Sequence, residues 1–412
     1  MDGVKTKPST YRKQPASASA EPKKAQTPNT ITRFFGEVDR PFLIIVVLLV
    51  CVGSITIFSS SYAYAEHRFG DSYYLAKPQL VFAAMGIGMM ALIAFFARAV
   101  LAMVRKLVWV VYFIALGLNA LVLVMGSTYN GARRWLDLGF TQFQPSEVLK
   151  FALVLVCADY IVKHRDRMHT VKYGFWGFAL LGGPALLLTL LQSHLSATII
   201  NLLIIFVMMW LGGTDGKLMG LLTGALAAFA ALLMTVARPI LKIFVPHALT
   251  RLDVWQNPFA YMSAESGGKG WQPAQSLYAI SSGGFWGVGL GQSNQKHGYL
   301  PEPYNDYIFA ILCEEMGFFG AVLVIGLFAA FAWRGFYIAR RSQDKFSSLL
   351  VMGIIVHVVI QFILNLAVVS NTIPSTGISL PFFSYGGTSL IILMCEMGLV
   401  LAVSRFSYTE KG

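Results

Sequence analysis

Ten apolar runs long enough to cross hydrocarbon follow one another along the chain, near residues 42–59, 79–97, 106–125, 146–162, 174–191, 196–211, 218–236, 307–333, 347–369 and 382–404. An α-helix needs roughly 17 to 25 mainly apolar residues to span the ~30 Å core of a bilayer. The pattern predicts an all-α integral membrane protein, a ten-transmembrane-helix bundle over residues 39–406. Polar residues 237–306 separate the seventh and eighth runs and are expected to form one large extracytoplasmic loop. Residues 126–145, GSTYNGARRWLDLGFTQFQP, carry turn signals around the cationic pair Arg133 and Arg134. Residues 370–388, SNTIPSTGISLPFFSYGGT, hold too much Gly, Pro and Ser for a continuous helix, yet they are apolar enough to sit at the membrane interface. Irregular backbone at that depth survives only where it is buried in protein or lines a cavity, so this segment is predicted to line a pocket.

Charge distribution orients the bundle. Short loops rich in Lys and Arg stay in the cytoplasm. With the N-terminus inside, 22 of the 32 Lys and Arg residues fall on inner segments and 9 on outer ones, with Lys150 alone inside a run. Both termini are therefore expected in the cytoplasm and the long loop outside. The net charge of +12 follows from this topology and from attraction to anionic membrane lipids; no nucleic-acid partner is needed. Hydrophobic residues make up 56% of the chain and charged ones 13%, outside the range of soluble domains.

Residues 1–38 are rich in Lys, Pro, Ser and Ala and predict a disordered basic tail, while residues 407–412 form a short cytoplasmic C-terminus. The tail is too long for a signal-peptide n-region, so the first run is expected to stay as a helix. The four cysteines fall inside predicted helices without paired spacing, which gives no disulfide or zinc framework. No nucleotide-binding fingerprint appears.

Ionisable residues at the membrane edge carry the candidate chemistry. Asp306 begins the eighth predicted helix, where the positive end of the helix dipole favours a carboxylate; it reads as a general base or as a helix cap, with Asn305 as the competing cap. Glu302 lies in the preceding Pro-Glu-Pro turn, beside Lys296 and His297. Glu314 and Glu315 lie deeper on the same helix, where an unpaired charge costs about 2.5–3.5 kcal/mol, so structural pairing is expected of them. Glu147 and Lys150 share a helix face, either as an internal ion pair or, with Arg133 and Arg134, as a cationic site for a diphosphate. His357, Gln361 and Asn365 form one polar stripe, explained by interhelical hydrogen bonds, and His194 alone indicates no ligand. Ser266–Lys269 matches Ser-x-x-Lys by chance, without the companion motif of penicillin-binding enzymes.

The strings NGARRWLDLG with QPSEVLKFAL, then QSLYAISSGGFWGVGLGQSNQKHGYLPEPYNDYIFAILCEEMGFFGA, then PSTGISLPFFSYGGTSL occur in that order. On these motifs the chain resembles the SEDS family of bacterial peptidoglycan glycosyltransferases, from about residue 40 to 405, and its division and sporulation branches more than its elongation branch. The resemblance implies ten transmembrane helices and an enzyme polymerising lipid II, an undecaprenyl-diphosphate disaccharide-pentapeptide, into glycan for the septal wall. It places the family's essential aspartate at Asp306, as general base on the acceptor GlcNAc 4-hydroxyl in an inverting transfer. Substrate contacts are expected from Arg133, Arg134, Lys150, Gln275, Ser276, Lys296, Glu302 and Ser384. It also implies a divalent cation, Mg or Mn, and as partners a class B penicillin-binding protein transpeptidase and other divisome proteins.

One departure stands out: where the family usually reads Leu-Gln-Pro-Asp, this chain reads LQSHLSA at 191–197, so any role of that family aspartate does not carry over to His194. A lipid II flippase and a noncatalytic division scaffold are the competing expectations, since intramembrane charges also mark transport pathways.

Overall fold

The computed structural model describes residues 38–129, 132–137, 139, 142–235, 246–263 and 268–407. The predicted disordered tail, save Val38, lies outside the described residues, as do residues 408–412 of the C-terminus and residues 236–245 and 264–267 of the long loop.

Helices form at all ten predicted runs. They are α1 (Arg40–Phe69), α2 (Ala76–Phe95), α3 (Ala97–Met125), α4 (Pro145–Lys163), α5 (Gly177–Leu191), α6 (Leu195–Leu211) and α7 (Gly216–Thr235), then, after the long loop, α10 (Ile308–Arg340), α11 (Lys345–Val369) and α12 (Gly387–Ser407). The loop itself contributes α8 (Pro246–Gln256) and α9 (Trp271–Gly283). Among the described residues, seven segments are long and apolar enough to cross a membrane by length and composition alone: α1, α2, α3, α10, α11, α12, and α5 counted with the π-helical turn Lys172–Trp176 before it. The other three fall short for visible reasons. Helix α4 carries Glu147, Lys150, Asp159 and Lys163, α6 has 17 residues, and of α7 only Gly216–Ala228 enters that comparison.

Caps explain several helix ends. Asp39 accepts the Phe42 N–H at 3.0 Å ahead of Pro41, and α1 stops at Gly70 in the left-handed region (φ 69°), the conformation glycine adopts without steric cost. The Arg334 guanidinium near the far end of α10 donates to both Asp39 oxygens, at 2.8 and 3.0 Å, so the start of α1 and the end of α10 are tied.

Two features go beyond the sequence reading. Three short strands form a small antiparallel sheet in the order β1 (Ser127–Tyr129), β2 (Ala132–Asp137), β3 (Gln142–Phe143). Trp135 pairs with Ser127 and Leu136 with Phe143. The Asn-Gly pair between β1 and β2 is a hairpin signal that the all-helical expectation passed over. Helix α10 is also broken, at Gly317 (φ 64°, ψ −163°). There the carbonyls of Glu314 and Glu315 turn outward and accept the N–H groups of Val288 and Gly289 at 2.9 and 3.0 Å. A Cβ at Gly317 would run into the backbone of Gly287, so glycine is what lets the end of the long loop lie against the opened helix.

Candidate active site

Asp306 stands two residues before α10, because the helix opens at Ile308 with Tyr307 in the N-cap position and no side-chain cap bond. The capping role is thereby corrected: the carboxylate of Asp306 does not hold the helix. Its backbone is fixed instead. Asn365 on α11 donates Nδ2 to the Asp306 carbonyl at 2.7 Å and to the Ile378 carbonyl at 2.6 Å. Ser384 Oγ donates to the Asn305 carbonyl at 2.9 Å, and the Tyr385 N–H to the Tyr304 carbonyl at 2.9 Å. Tyr307 donates its hydroxyl to Ser375 Oγ at 3.1 Å.

The irregular segment 370–388 therefore wraps Asp306, and its Ser379, Leu380, Pro381, Phe382 and Ser384 line a cavity, the pocket lining that its composition predicted. It is seated from below by Gln361, whose Nε2 reaches the Ser379 carbonyl at 3.0 Å. It is clamped from the long loop by Trp255 of α8, whose indole N–H reaches the Asn371 carbonyl at 3.0 Å. A Cβ at Gly53 of α1 would strike the Phe382 carbonyl, so that glycine admits the segment. A Cβ at Gly377 (φ 73°) would lie 3.1 Å from Asp306 Oδ2, so the backbone approaches the carboxylate where only glycine leaves room.

The carboxylate of Asp306 accepts no hydrogen bond from a described residue and keeps some exposure. Burial raises its pKa, the neighbouring Glu302 charge raises it further, and the Arg134 guanidinium opposes both; the result is about 6 against an ordinary 3.8. A carboxylate tuned toward neutrality and left without a partner suits proton abstraction. Glu302 is held at a positive φ of 45°, and its Oε2 accepts Asn305 Nδ2 at 2.9 Å. The turn around it rests on α9, where Gln272 Nε2 donates to the Pro301 carbonyl at 3.3 Å.

Cations approach from two further elements. Arg134 on β2 donates Nη2 to the Ser193 carbonyl at 2.5 Å, while its Nε is buried without a partner. Arg251 on α8 donates Nη1 to the Ser375 carbonyl at 3.4 Å and acts electrostatically on Arg134. Two guanidiniums that repel each other, one of them acting on the Asp306 carboxylate, are a place for an anion with more than one charge. His194 lies in the same region; burial first, then Arg134 and Lys150, push its imidazole down to about 3, so it is neutral.

The remaining sequence candidates scatter. Lys150 is buried, pairs with Glu147 at 2.9 Å and donates to Gln361 Oε1 at 2.7 Å, which makes it a post beneath segment 370–388. Arg133 is exposed and donates to the Leu123 carbonyl at 3.2 Å. Ser276 is buried and donates to the Val369 carbonyl at 2.8 Å, joining α9 to α11, and Gln275 beside it is also buried.

Lys296 departs most from expectation. Its side chain is fully buried, 2.6 Å from Glu315 Oε1 and over the Tyr62 ring at 4.6 Å, and Ser59 donates to the other Glu315 oxygen at 2.5 Å. Desolvation left no option but pairing, so Lys296 serves the loop–helix junction and not the Asp306 pocket. Glu314 is likewise spent on Ser293 Oγ and the Asn294 N–H. The polar stripe of α11 divides its contacts: Gln361 meets Lys150 of α4 and His357 meets Glu396 of α12 at 2.5 Å, while Gln361 and Asn365 donate to carbonyls of the wrapping segment.

Arg251, Ser375 and Gly377 were missed. Their only sequence signal was membership of loops already flagged, and nothing in composition brings α8 to segment 370–388.

Among the described residues no three His, Cys, Asp or Glu side chains gather as a metal-binding set. Asp306 and Glu302, whose charges act on each other, are two hard oxygen donors, which fits a divalent cation that takes its other ligands from water and phosphate. The cavity beneath them, lined by Glu147, Gln361, Ser379 and Ser384, measures about 30 Å³. That is room for water and not for a sugar.

Comparison with known proteins identifies the family. The chain is 36% identical over 372 residues to the stage V sporulation protein E of Bacillus subtilis, covering 90% of this chain and 97% of that one. It is 33% identical over 374 residues to a probable peptidoglycan glycosyltransferase FtsW of Geobacter, covering 89% and 96%. Among solved structures it resembles a chain reported for structural coordination of polymerization and crosslinking by a peptidoglycan synthase complex, with TM-score 0.72, 29% identity and 90% and 98% coverage. It also resembles the rod shape determining protein RodA of Thermus thermophilus, with TM-score 0.64, 27% identity and the same coverage. Residues 39–409 match the family described as cell cycle protein, and the chain belongs to that FtsW/RodA/SpoVE family.

Proposed function

We propose that the chain is a peptidoglycan glycosyltransferase that polymerises lipid II into glycan strands for the division septum, with Asp306 as general base. The observation that carries this reading is the Asp306 carboxylate itself: backbone-fixed, free of hydrogen bonds from the described residues, raised to about 6, and acted on by Arg134, which in turn feels Arg251. Relatives named peptidoglycan glycosyltransferase over most of their length support the same chemistry.

In the reaction, Asp306 takes the proton of the acceptor GlcNAc 4-hydroxyl, and the oxygen attacks C1 of the donor MurNAc with inversion. The C1–O bond breaks and its electrons leave on the lipid diphosphate. Arg134 and Arg251 neutralise that charge where it develops, the type of stabilisation that contributes most when donors are pre-positioned. Ser384 and Asn365 act by holding the backbone on either side of Asp306. A divalent cation, where bound, would sit on Glu302 and Asp306 and help to neutralise the diphosphate. The undecaprenyl chains lie along the apolar helix surfaces, and the Asp306 end faces outward with both termini in the cytoplasm. A class B penicillin-binding protein is the partner that crosslinks the product, since no transpeptidase motif is present in this chain.

The purified chain, reconstituted with such a partner and labelled lipid II, should form polymer, and Asp306→Asn should lose about 10²–10⁴-fold in rate, the usual contribution of a general base. Polymer formed by Asp306→Asn at the wild-type rate rejects the assignment.

A further inference from the structure

A second cavity, of about 320 Å³, opens at the opposite end of the bundle. Helix α10 runs from Asp306 to this end over 33 residues, roughly 50 Å at 1.5 Å per residue. The floor of the cavity is apolar, made by Leu101, Phe346, Val403 and Phe406, and its rim carries Arg98 and Arg105 of α3. The volume lies at the lower end of the roughly 300–1,000 Å³ range of small-molecule sites.

The two arginines are unspent. Arg98 forms no hydrogen bond or ion pair among the described residues; its one contact is the Phe406 ring at 6.0 Å. Arg105 lies over the Phe346 ring at 5.6 Å and has a single long ion pair, 3.8 Å to Asp344 Oδ1. That carboxylate is already committed to α11, accepting the Ser347 N–H at 3.1 Å and the Ser347 hydroxyl at 2.6 Å. The rim therefore stays net positive with most guanidinium donors open. Gln343 in its lining donates to the Phe406 carbonyl at 2.7 Å, and Arg405 next to Phe406 in the chain donates to the Ala94 and Phe95 carbonyls at 2.9 and 2.8 Å.

Forked guanidiniums recognise phosphate, and the apolar surroundings say which kind. Phe95 and Phe96, just before Arg98 in the chain, are about half exposed, at 46% and 53%, an apolar surface suited to hydrocarbon. A soluble anion would leave both that belt and the apolar floor unused. We propose that this cavity binds the phosphate headgroup of an anionic phospholipid from the leaflet at that end, with its acyl chains against the end of α2. On the topology proposed above this is the cytoplasmic leaflet, and basic pockets between helices on that side are suited to such headgroups.

The test is lipid retention by the detergent-purified full chain, measured by native mass spectrometry with phosphatidylglycerol or phosphatidylcholine supplied at equal concentration. Phosphatidylglycerol should be retained at least about fivefold better, and Arg98→Gln with Arg105→Gln should lower its retention by about fivefold or more, from the size of a single near-surface cation contact. Arg165→Gln with Lys172→Gln, which removes the same charge elsewhere on this end, should leave retention within about twofold.

Should the glutamine pair fail to fold, the double exchange Arg98→Lys with Arg105→Lys keeps the charge, removes the fork, and should lose a smaller share. Equal retention of the two lipids, equal loss in the control pair, unchanged retention in both arginine variants, or displacement of the lipid by inorganic phosphate at the same concentration would each overturn the proposal. Because the readout is binding and not polymer, it stands or falls apart from the polymerase reading.

Discussion

Asn365 Nδ2 lies 2.7 Å from the backbone carbonyl of Asp306, so a residue that follows Asp306 by 59 positions fixes the height of its main chain. The same amide holds Ile378 of the wrapping segment at 2.6 Å. Replacing Asn365 with Leu strips both carbonyls of a donor. An unpaired buried polar group costs about 1–3 kcal/mol. The variant should lose about 2 kcal/mol of stability and, because the aspartate and its wrapping segment separate, at least about tenfold in polymerisation at saturating lipid II. Thermal unfolding and a kcat measurement on the same preparation check this; a stability loss with unchanged kcat would mean that the amide does not position the base.

The acid limb of the activity profile should lie near pH 6, where Asp306 titrates. A base must be ionised, so kcat/KM is expected to rise with pH through about 6 and then level. The stability contribution of this group has the opposite sign. Its folded pKa is raised above the ordinary 3.8, so the stabilisation is full below pH 3.8 and is lost as pH climbs through about 6. A pH–rate profile with no limb between about pH 5 and 7 contradicts the assignment.

Two neighbours should move that limb in opposite directions. Glu302 raises the Asp306 pKa and Arg134 lowers it. Glu302→Gln should shift the limb to lower pH, and Arg134→Gln to higher pH with a lower plateau rate, since the same guanidinium is expected to meet the diphosphate. Parallel shifts in both variants would show that the charges do not act on Asp306 as placed.

Lys296→Met should behave as a folding variant. It leaves the Glu315 carboxylate buried without the ammonium that stood 2.6 Å away. Breaking a buried pair this way costs about 3–5 kcal/mol. Reduced yield and thermal stability are expected, with near-normal rate per folded molecule. Pairing Lys296→Met with Glu315→Leu should recover much of the stability, because no charge is then left without a partner.

Apolar run length made all ten helices legible, and the Gly-Pro-Ser content of segment 370–388 announced an irregular pocket lining. The motif around Asn305-Asp306-Tyr307 pointed to the aspartate. Run length did not mark helix ends: α1 extends to Phe69 and α3 begins at Ala97, beyond the apolar stretches, because a helix continues through polar residues until a glycine or a corner stops it. Nor did it show the short sheet at 127–143.

Which cations stand near the candidate base was not legible at all. In sequence, Lys296 is ten residues from Asp306 and Arg251 is fifty-five, and nearness favoured the lysine. The fold reverses the choice, sealing Lys296 against Glu315 and bringing Arg251 of α8 to Ser375. Local hydrophobicity is a property of a stretch of chain, so the sequence by itself determined the membrane class, the helices and the acid to which the chemistry is assigned. Whether a charge is spent on a buried partner or left open to a substrate depends on which distant segments meet, and only the tertiary structure decided that.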